Sequence, residues 1–300
     1  MGGAVGDAQG VTDVSRLRFG YGLNGFTDHR LGDALEVLAD LGFDGVALTL
    51  DHAHLDPLGP GLAHRVAAAA ALLGEHDLDV VVETGGRYVL DPRRKHHPTF
   101  VSDEGRQRRI DLVATALRIA PDLGARVVSC WSGTLPSSAT AEQGRARVEE
   151  AVTRLLPVAQ AAGVTLALEP EPGMFLERVG DVVGLIERLG RPESLGLTID
   201  VGHLTCSEDA LPAEVIRSAG DLVVNVQVDD MRRGVHEHLP FGEGEVDLPD
   251  VLAALADIDY DGLVHVELPR HSHAAPVLAA HSLRALRDAA ADAHRLTRRT

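Results

Sequence analysis

Leu166 to Gly173 reads LALEPEPG, an apolar run that leads directly into two glutamates held apart by proline. A carboxylate at the end of a buried strand is costly unless something positive meets it. Three later apolar runs end in the same way: LTIDVGH carries Asp200 and His203, VVNVQVDD carries Gln227, and LVHVELP carries Glu267. A lone acid at a strand end is more often a helix cap or loop partner than a ligand. Four oxygen donors on consecutive strands are harder to assign that way. Brought together, three carboxylates would repel one another strongly in a poorly hydrated pocket. A divalent cation removes that repulsion, and the amide oxygen of Gln227 offers a fourth ligand. The pattern therefore predicts one metal site made of Glu169, Asp200, Gln227 and Glu267.

Elements that could bring these residues together are legible along the chain. From Leu17, short apolar runs alternate with stretches of helical periodicity, the signature of βα units and a parallel sheet. Strands are predicted over 17–23, 45–50, 79–84, 126–131, 164–169, 196–200, 222–228 and 263–268. Helices are expected to begin near Asp28, Gly61, Asp103, Thr140, Val179, Glu208 and Asp247, with a last one over His273 to Leu296. Glycine just past a helix in Leu41-Gly42, Ala162-Gly163 and Leu189-Gly190 suits a left-handed cap. The chain has 300 residues, 45% of them hydrophobic. With no linker inside 17–296, this fits a single (β/α)8 TIM barrel over 16–300 preceded by a flexible tail over 1–15. Such a barrel places the C-terminal ends of all its strands on one face, where active sites form.

Other residues converge on the same rim. His203 suits a substrate hydrogen bond or a cap, Glu171 a substrate contact or an ion pair with a nearby loop, and Glu83 and Trp131 the pocket wall. The loop Gly85 to Asp103 is too long to be a mere turn. Its basic stretch, 87–97, holds Arg87, Arg93, Arg94, Lys95, His96 and His97. It reads either as a solvated loop or as a lid in which Arg94 and Lys95 grip a phosphate or carboxylate of the substrate.

Lys+Arg number 28 against 45 Asp+Glu, a net charge of −17. This argues against nucleic-acid and anionic-membrane partners. No apolar stretch is long enough to span a bilayer, and the N-terminus lacks the pattern of a signal peptide. Cys130 and Cys206, expected on non-adjacent strands, make no disulfide framework, which points to a reducing cytoplasm.

LALEP, TIDVGHL, VNVQVDD followed by HEHLPFGEGEVDL, and GLVHVEL together resemble the xylose isomerase-like TIM-barrel superfamily of sugar and sugar-phosphate isomerases and epimerases. The resemblance covers about 17–290, with its diagnostic motifs in the second half. It implies a Mn2+ or Mg2+ ion held by Glu169, Asp200, a strand-seven ligand and Glu267. Most members have histidine on strand seven; Gln227 is similar instead to the glutamine of hydroxypyruvate isomerase and its relatives. An all-oxygen ligand set favours Mg2+ or Mn2+, with Co2+ and Zn2+ as lesser options. The resemblance further implies that Glu169 and Glu267 move a proton beside a carbonyl through a metal-stabilised enediolate. Substrates would be a sugar, sugar phosphate or cyclitol, and barrels of this type often form homo-oligomers.

The same site can expel water, as in an inosose dehydratase. An endonuclease IV-like phosphodiesterase is the rival from another class, since His236 and His238 resemble two of its zinc ligands. Two further histidines that it would need fall where this chain has Glu83-Thr84 and Cys130-Trp131, which argues against it; His238 is expected to contact the substrate. A third alternative is a barrel that binds a sugar without turning it over.

Overall fold

The computed structural model describes residues 14–297. Eight of the apolar runs are strands: β1 (Arg18–Gly22), β2 (Gly45–Thr49), β3 (Asp79–Glu83), β4 (Val127–Trp131), β5 (Thr165–Glu169), β6 (Leu195–Asp200), β7 (Val223–Val228) and β10 (Leu263–Val266). They close a barrel in the order β1-β10-β7-β6-β5-β4-β3-β2, and every ladder is parallel. Around it run α1 (Leu31–Leu41), α2 (Leu62–Glu75), α3 (Arg106–Leu123), α4 (Ala141–Ala162), α5 (Val179–Arg188), α6 (Val201–Ser207), α7 (Pro212–Ala219), α8 (Leu248–Asp257) and α9 (Ala275–Thr297). The single (β/α)8 barrel is therefore the observed fold. Among the described residues no helix is long and apolar enough to cross a membrane.

The helices bury one apolar stripe each against the outside of the barrel: Leu35 and Leu38 of α1, Leu117 of α3, Leu155 of α4, Ile186 of α5 and Leu252 of α8 are all fully buried. Left-handed glycines end α1 (Gly42, φ 90°) and α4 (Gly163, φ 65°), as the sequence led us to expect. Thr140 opens α4 with a capping box, and Asp247 caps α8 by accepting from the Asp250 N–H.

Strand alternation builds the interior in layers, because residues two apart point the same way. Ser129, Thr198, Asn225 and His265 form a buried polar layer: Ser129 Oγ lies 2.8 Å from Thr198 Oγ1, and His265 Nε2 lies 3.1 Å from Asn225 Oδ1. Two residues further along their strands come Trp131, Asp200, Gln227 and Glu267, which is how sequence positions far apart reach one rim.

The structure departs from the sequence expectations in several places. No helix begins near Glu208. Instead α6 starts immediately after β6, because Asp200 Oδ1 accepts from the His203 N–H at 3.1 Å and caps it. A second helix, α7, then starts at Pro212, whose fixed φ and missing N–H suit a first helical turn. Cys206 therefore sits in α6, not on a strand. Helix α1 begins at Leu31 rather than Asp28, whose N–H donates to Ser272 Oγ, and α3 begins at Arg106 after a left-handed Gly105. The last ladder stops at Val266, so Glu267 is the first residue beyond it. Most of the expected tail, 1–13, lies outside the described residues; Val14–Arg16 forms a 3-10 turn with Val14 buried.

An antiparallel hairpin also went unread, β8 (Asp230–Arg232) with β9 (Val235–Leu239). Asp230 organises it. Its carboxylate accepts from the N–H groups of Met231 (3.0 Å), Gly242 (2.8 Å), Gly244 (2.8 Å) and Val246 (3.0 Å). A Cβ on Gly244 would lie 2.3 Å from Asp230 Oδ1, so the GEG turn needs glycine there.

Loop 85–105 is pinned from below by Arg109 of α3, which is only 2% exposed. Its guanidinium donates to the carbonyls of Pro98 (2.9 Å), Thr84 (3.0 Å) and His96 (2.9 Å) and lies 4.8 Å from the centre of the Trp131 ring. Arg109→Ala would strip three carbonyls of their donor and leave a void. We expect a loss of about 3 to 5 kcal/mol in urea unfolding and faster amide exchange across 85–105. Unchanged exchange in that loop would refute the anchoring role.

Candidate active site

The C-terminal ends of the strands surround one cavity, lined by Glu169, Gln227 and Glu267 together with Glu83, Trp131, Glu171, His203, His236 and His238. Asp200 lies just beneath, 1% exposed. His203 ties the acids together. Its Nδ1 is 3.3 Å from Glu169 Oε1, and its Nε2 is 3.5 Å from Asp200 Oδ2 and 3.1 Å from His236 Nε2. Gln227 is oriented from the opposite side. Its Nε2 donates to Glu83 Oε1 at 2.9 Å, and Glu83 in turn accepts from Thr49 Oγ1 at 3.0 Å. Because a carboxylate only accepts, the Gln227 amide is turned with its oxygen away from Glu83. Asn24 donates to Glu267 Oε1 at 2.9 Å.

Three of the four predicted ligands keep an oxygen in reserve. Asp200 Oδ2, Gln227 Oε1 and Glu267 Oε2 are buried and have no hydrogen-bond partner. Buried polar atoms without partners are rare in native proteins and call for an occupant. Groups whose ligand atoms lie within 4.8 Å of one another are Glu169, Asp200 and His203; Asp200, Asp229 and His238; and His203, His236 and His238. Of the predicted ligands, Glu169 and Asp200 fall in these groups and Glu267 falls in none; the groups themselves offer donors that fit a divalent cation, with Asp200 shared by two. Imidazoles stand closer to it than the all-oxygen reading expected.

The titration behaviour reflects the same crowding. Glu267 is pushed well above the ordinary carboxylate range by burial, then by Glu83 and Glu169. Burial raises Glu169 too, against the hydrogen bond and charge of His203. Glu83 and Glu171 are each pushed up to about 7, again chiefly by burial. Burial opposes charge on His203, yet Asp200 and Glu169 carry it to about 9. Asp200 itself ends below its usual range: desolvation works against it, and His203 and His238 outweigh that. A cluster in which most acids suppress one another's charge is what a bound cation relieves.

Several residues of this site escaped the sequence reading. Asn24 comes from the β1 loop, Thr49 from the end of β2 and Arg270 from the β10 loop. Asp229, fully buried, approaches His238 Nδ1 to 2.5 Å; a Cβ on Gly202 would lie 2.0 Å from its Oδ1, so the glycine of TIDVGH makes room for it. Only the Asp229-Asp230 doublet and the GEG turn hinted at the hairpin that carries His236 and His238. Of the two loop cations proposed to contact substrate, Lys95 lines the cavity and Arg94 does not. Arg94 is exposed, bonded to Asp91 Oδ2 at 2.8 Å, and borders a neighbouring cleft. Nor does Glu171 pair with Lys95 among the described residues. His96 lies 5.1 Å from Trp131, ring centre to ring centre, and closes that wall.

Fold and rim together define a (β/α)8 barrel with an acidic, cation-ready centre at the C-terminal face. Residues 35–289 match the model of the xylose isomerase-like TIM barrel, and the chain belongs to that family. It is 27% identical over 241 residues to the L-ribulose-5-phosphate 3-epimerase UlaE of Salmonella paratyphi C, covering 79% of this chain and 81% of the relative. Among solved structures, an L-ribulose 3-epimerase superposes with a TM-score of 0.77 at 20% identity, covering 94% of this chain and 97% of the other. The D-allulose 3-epimerase from Methylomonas sp., in complex with D-allulose, gives 0.73 at 21%, covering 91% and 97%.

Proposed function

We propose that the protein is a divalent-metal-dependent ketose 3-epimerase, with Glu169 and Glu267 as its proton-transfer pair. The observation that carries this is the pair itself: two carboxyl groups, buried Glu169 and half-buried Glu267, facing one cavity from β5 and from just past β10, with β6 and β7 between them. Inverting a carbon beside a ketone requires a proton to leave one face and another to arrive on the opposite face. Two separately mounted acid–base groups meet that need, and each direction of reaction exchanges their roles. The three relatives named above are all ketose 3-epimerases, which supports the same choice of carbon.

Residues around the pair hold it in place. His203 fixes Glu169, Asn24 fixes one oxygen of Glu267, and Trp131 supplies an apolar wall. Glu169, Asp200, Gln227 and Glu267 would hold the cation, which when bound polarises the substrate carbonyl and offsets charge developing on its neighbouring oxygens. His203, Glu171 and His238 line the same cavity and would meet sugar hydroxyls.

The test is turnover of ketopentoses, ketohexoses and their phosphates in deuterated water with Mn2+. Deuterium should enter at C3, and the C3 epimer should accumulate with it. Label confined to C1, with aldose formed, would make the protein an aldose–ketose isomerase; no exchange with any sugar would refute the reading altogether.

A further inference from the structure

The cavity floor is acidic, but its mouth is not. Arg87 and Lys95 from the loop after β3 and Arg270 from the loop after β10 all line it. In a chain of net charge −17 whose only lysine is Lys95, this is a local reversal of sign. Arg87 Nη2 donates to the Pro269 carbonyl at 3.0 Å, so the two loops meet at the mouth.

What sets these cations apart is their place at the mouth of an acidic cavity without counter-ions of their own. Elsewhere on the surface Arg94, Arg147, Arg178 and Arg188 each bond a carboxylate at 2.6 to 2.9 Å. Among the described residues, Arg87, Lys95 and Arg270 have no carboxylate within 4 Å, although Glu171 and Asp51 line the same cavity. His96, beside Lys95, adds a buried Nε2 with no hydrogen-bond partner. Burial, then the charges of Lys95, Arg109 and Arg87, push its pKa down to about 3, so the ring is neutral. A neutral imidazole still has one N–H to donate.

We propose that Arg87, Lys95 and Arg270, with His96, form a subsite for the phosphate of a phosphorylated ketose, placing it at the mouth while the ketone end reaches Glu169 and Glu267. This rests on the epimerase reading and names its substrate class. Two guanidinium forks and one ammonium match the charge of about −2 and the three outer oxygens of a phosphate monoester. A carboxylate brings half that charge to a cavity that already holds several.

The experiment compares a ketopentose 5-phosphate with the same unphosphorylated ketopentose on the Mn2+-loaded enzyme. Wild type should prefer the phosphate in kcat/KM. Lys95→Ala and Arg270→Ala should each reduce kcat/KM for the phosphate by about 10- to 100-fold, mainly through KM, the size of a lost charge-assisted contact. The loss should be at least about tenfold greater than on the neutral sugar. Arg93→Ala, in the same loop but outside the cavity, controls for overall charge. A matched uronate or aldonate-type ketose serves as the carboxylate arm and should bind less well.

Equilibrium dialysis of labelled inorganic phosphate against wild type and both variants reads the subsite without turnover. One saturable site in wild type, weakened at least about tenfold in each variant, supports the proposal. No phosphate binding by wild type, equal binding by the variants, equal kinetic losses on both sugars, or a preference for the carboxylate would overturn it. Phosphate binding that follows the variants, with no exchange at C3 of any sugar, would sink the epimerase reading instead and leave the anion subsite standing.

Discussion

Glu267→Gln should lower turnover by about 10²- to 10⁴-fold, the usual size of a general acid–base contribution, while much of the metal affinity survives. The amide keeps an oxygen that can coordinate and loses the ability to take or return a proton. Local geometry permits the exchange. Asn24 donates to Glu267 Oε1, and its own Oδ1 has no partner, so its side-chain amide can turn over and accept from the new NH2. That leaves the glutamine oxygen free to face the site. Glu169→Gln should produce a loss of similar size, although His203 Nδ1 stands 3.3 Å from Glu169 Oε1 and will favour the rotamer that keeps oxygen there. The measurements are turnover, deuterium entry at C3 and metal content by mass spectrometry. Normal turnover in Glu267→Gln, with the ion still bound, would place proton transfer elsewhere in the cavity.

The elements that present these two glutamates were readable because they rest on local physics. Short apolar runs, left-handed glycines and the Thr140 and Asp247 caps each act within a few residues, and repeated βα units admit few topologies. The rim acids were visible for a related reason: each ends a strand, and parallel closure puts all strand ends on one face. What stayed hidden depends on contacts between distant segments. Nothing in Arg109's own neighbourhood announces that it will hold three loop carbonyls, since it lies within an ordinary amphipathic helix. Asn24 reaches Glu267 across 243 positions, and Gln227 reaches Glu83 across 144. The hairpin β8–β9 was obscured because one of its strands is only three residues long and charged, and its stability comes from Asp230 collecting N–H groups 12 to 16 residues ahead. Arg94 was misplaced for the converse reason. In sequence it is equivalent to Lys95, and only the fold shows that Asp91 holds one while the cavity receives the other.

Asp200 has two roles that a single substitution would confuse, and separating them gives the second large effect. Its Oδ1 caps α6 through the His203 N–H, and its Oδ2, which has no hydrogen-bond partner and stands 3.5 Å from His203 Nε2, is the oxygen left for the candidate cation site. Asp200→Ala removes both functions. Loss of the cap costs about 1 kcal/mol, a destabilisation the barrel should survive. Loss of the ligand should be far larger in its consequences: substitutions that only support a metal ligand reduce affinity about 10- to 100-fold, so removing the donor itself should cost at least about 100-fold. Activity should recover only in part at high Mn2+. Asp200→Asn divides the two roles, since its amide oxygen can still accept from His203 N–H while the negative charge is gone. We expect Asp200→Asn to melt within a few degrees of wild type without metal, yet to lose most of the rise in Tm that Mn2+ produces in wild type, because that rise follows ligand affinity. Bound metal measured by mass spectrometry should fall in both variants. Full metal occupancy in Asp200→Asn and Asp200→Ala, with a normal Mn2+-dependent rise in Tm, would reduce Asp200 to a helix cap and remove it from the metal site.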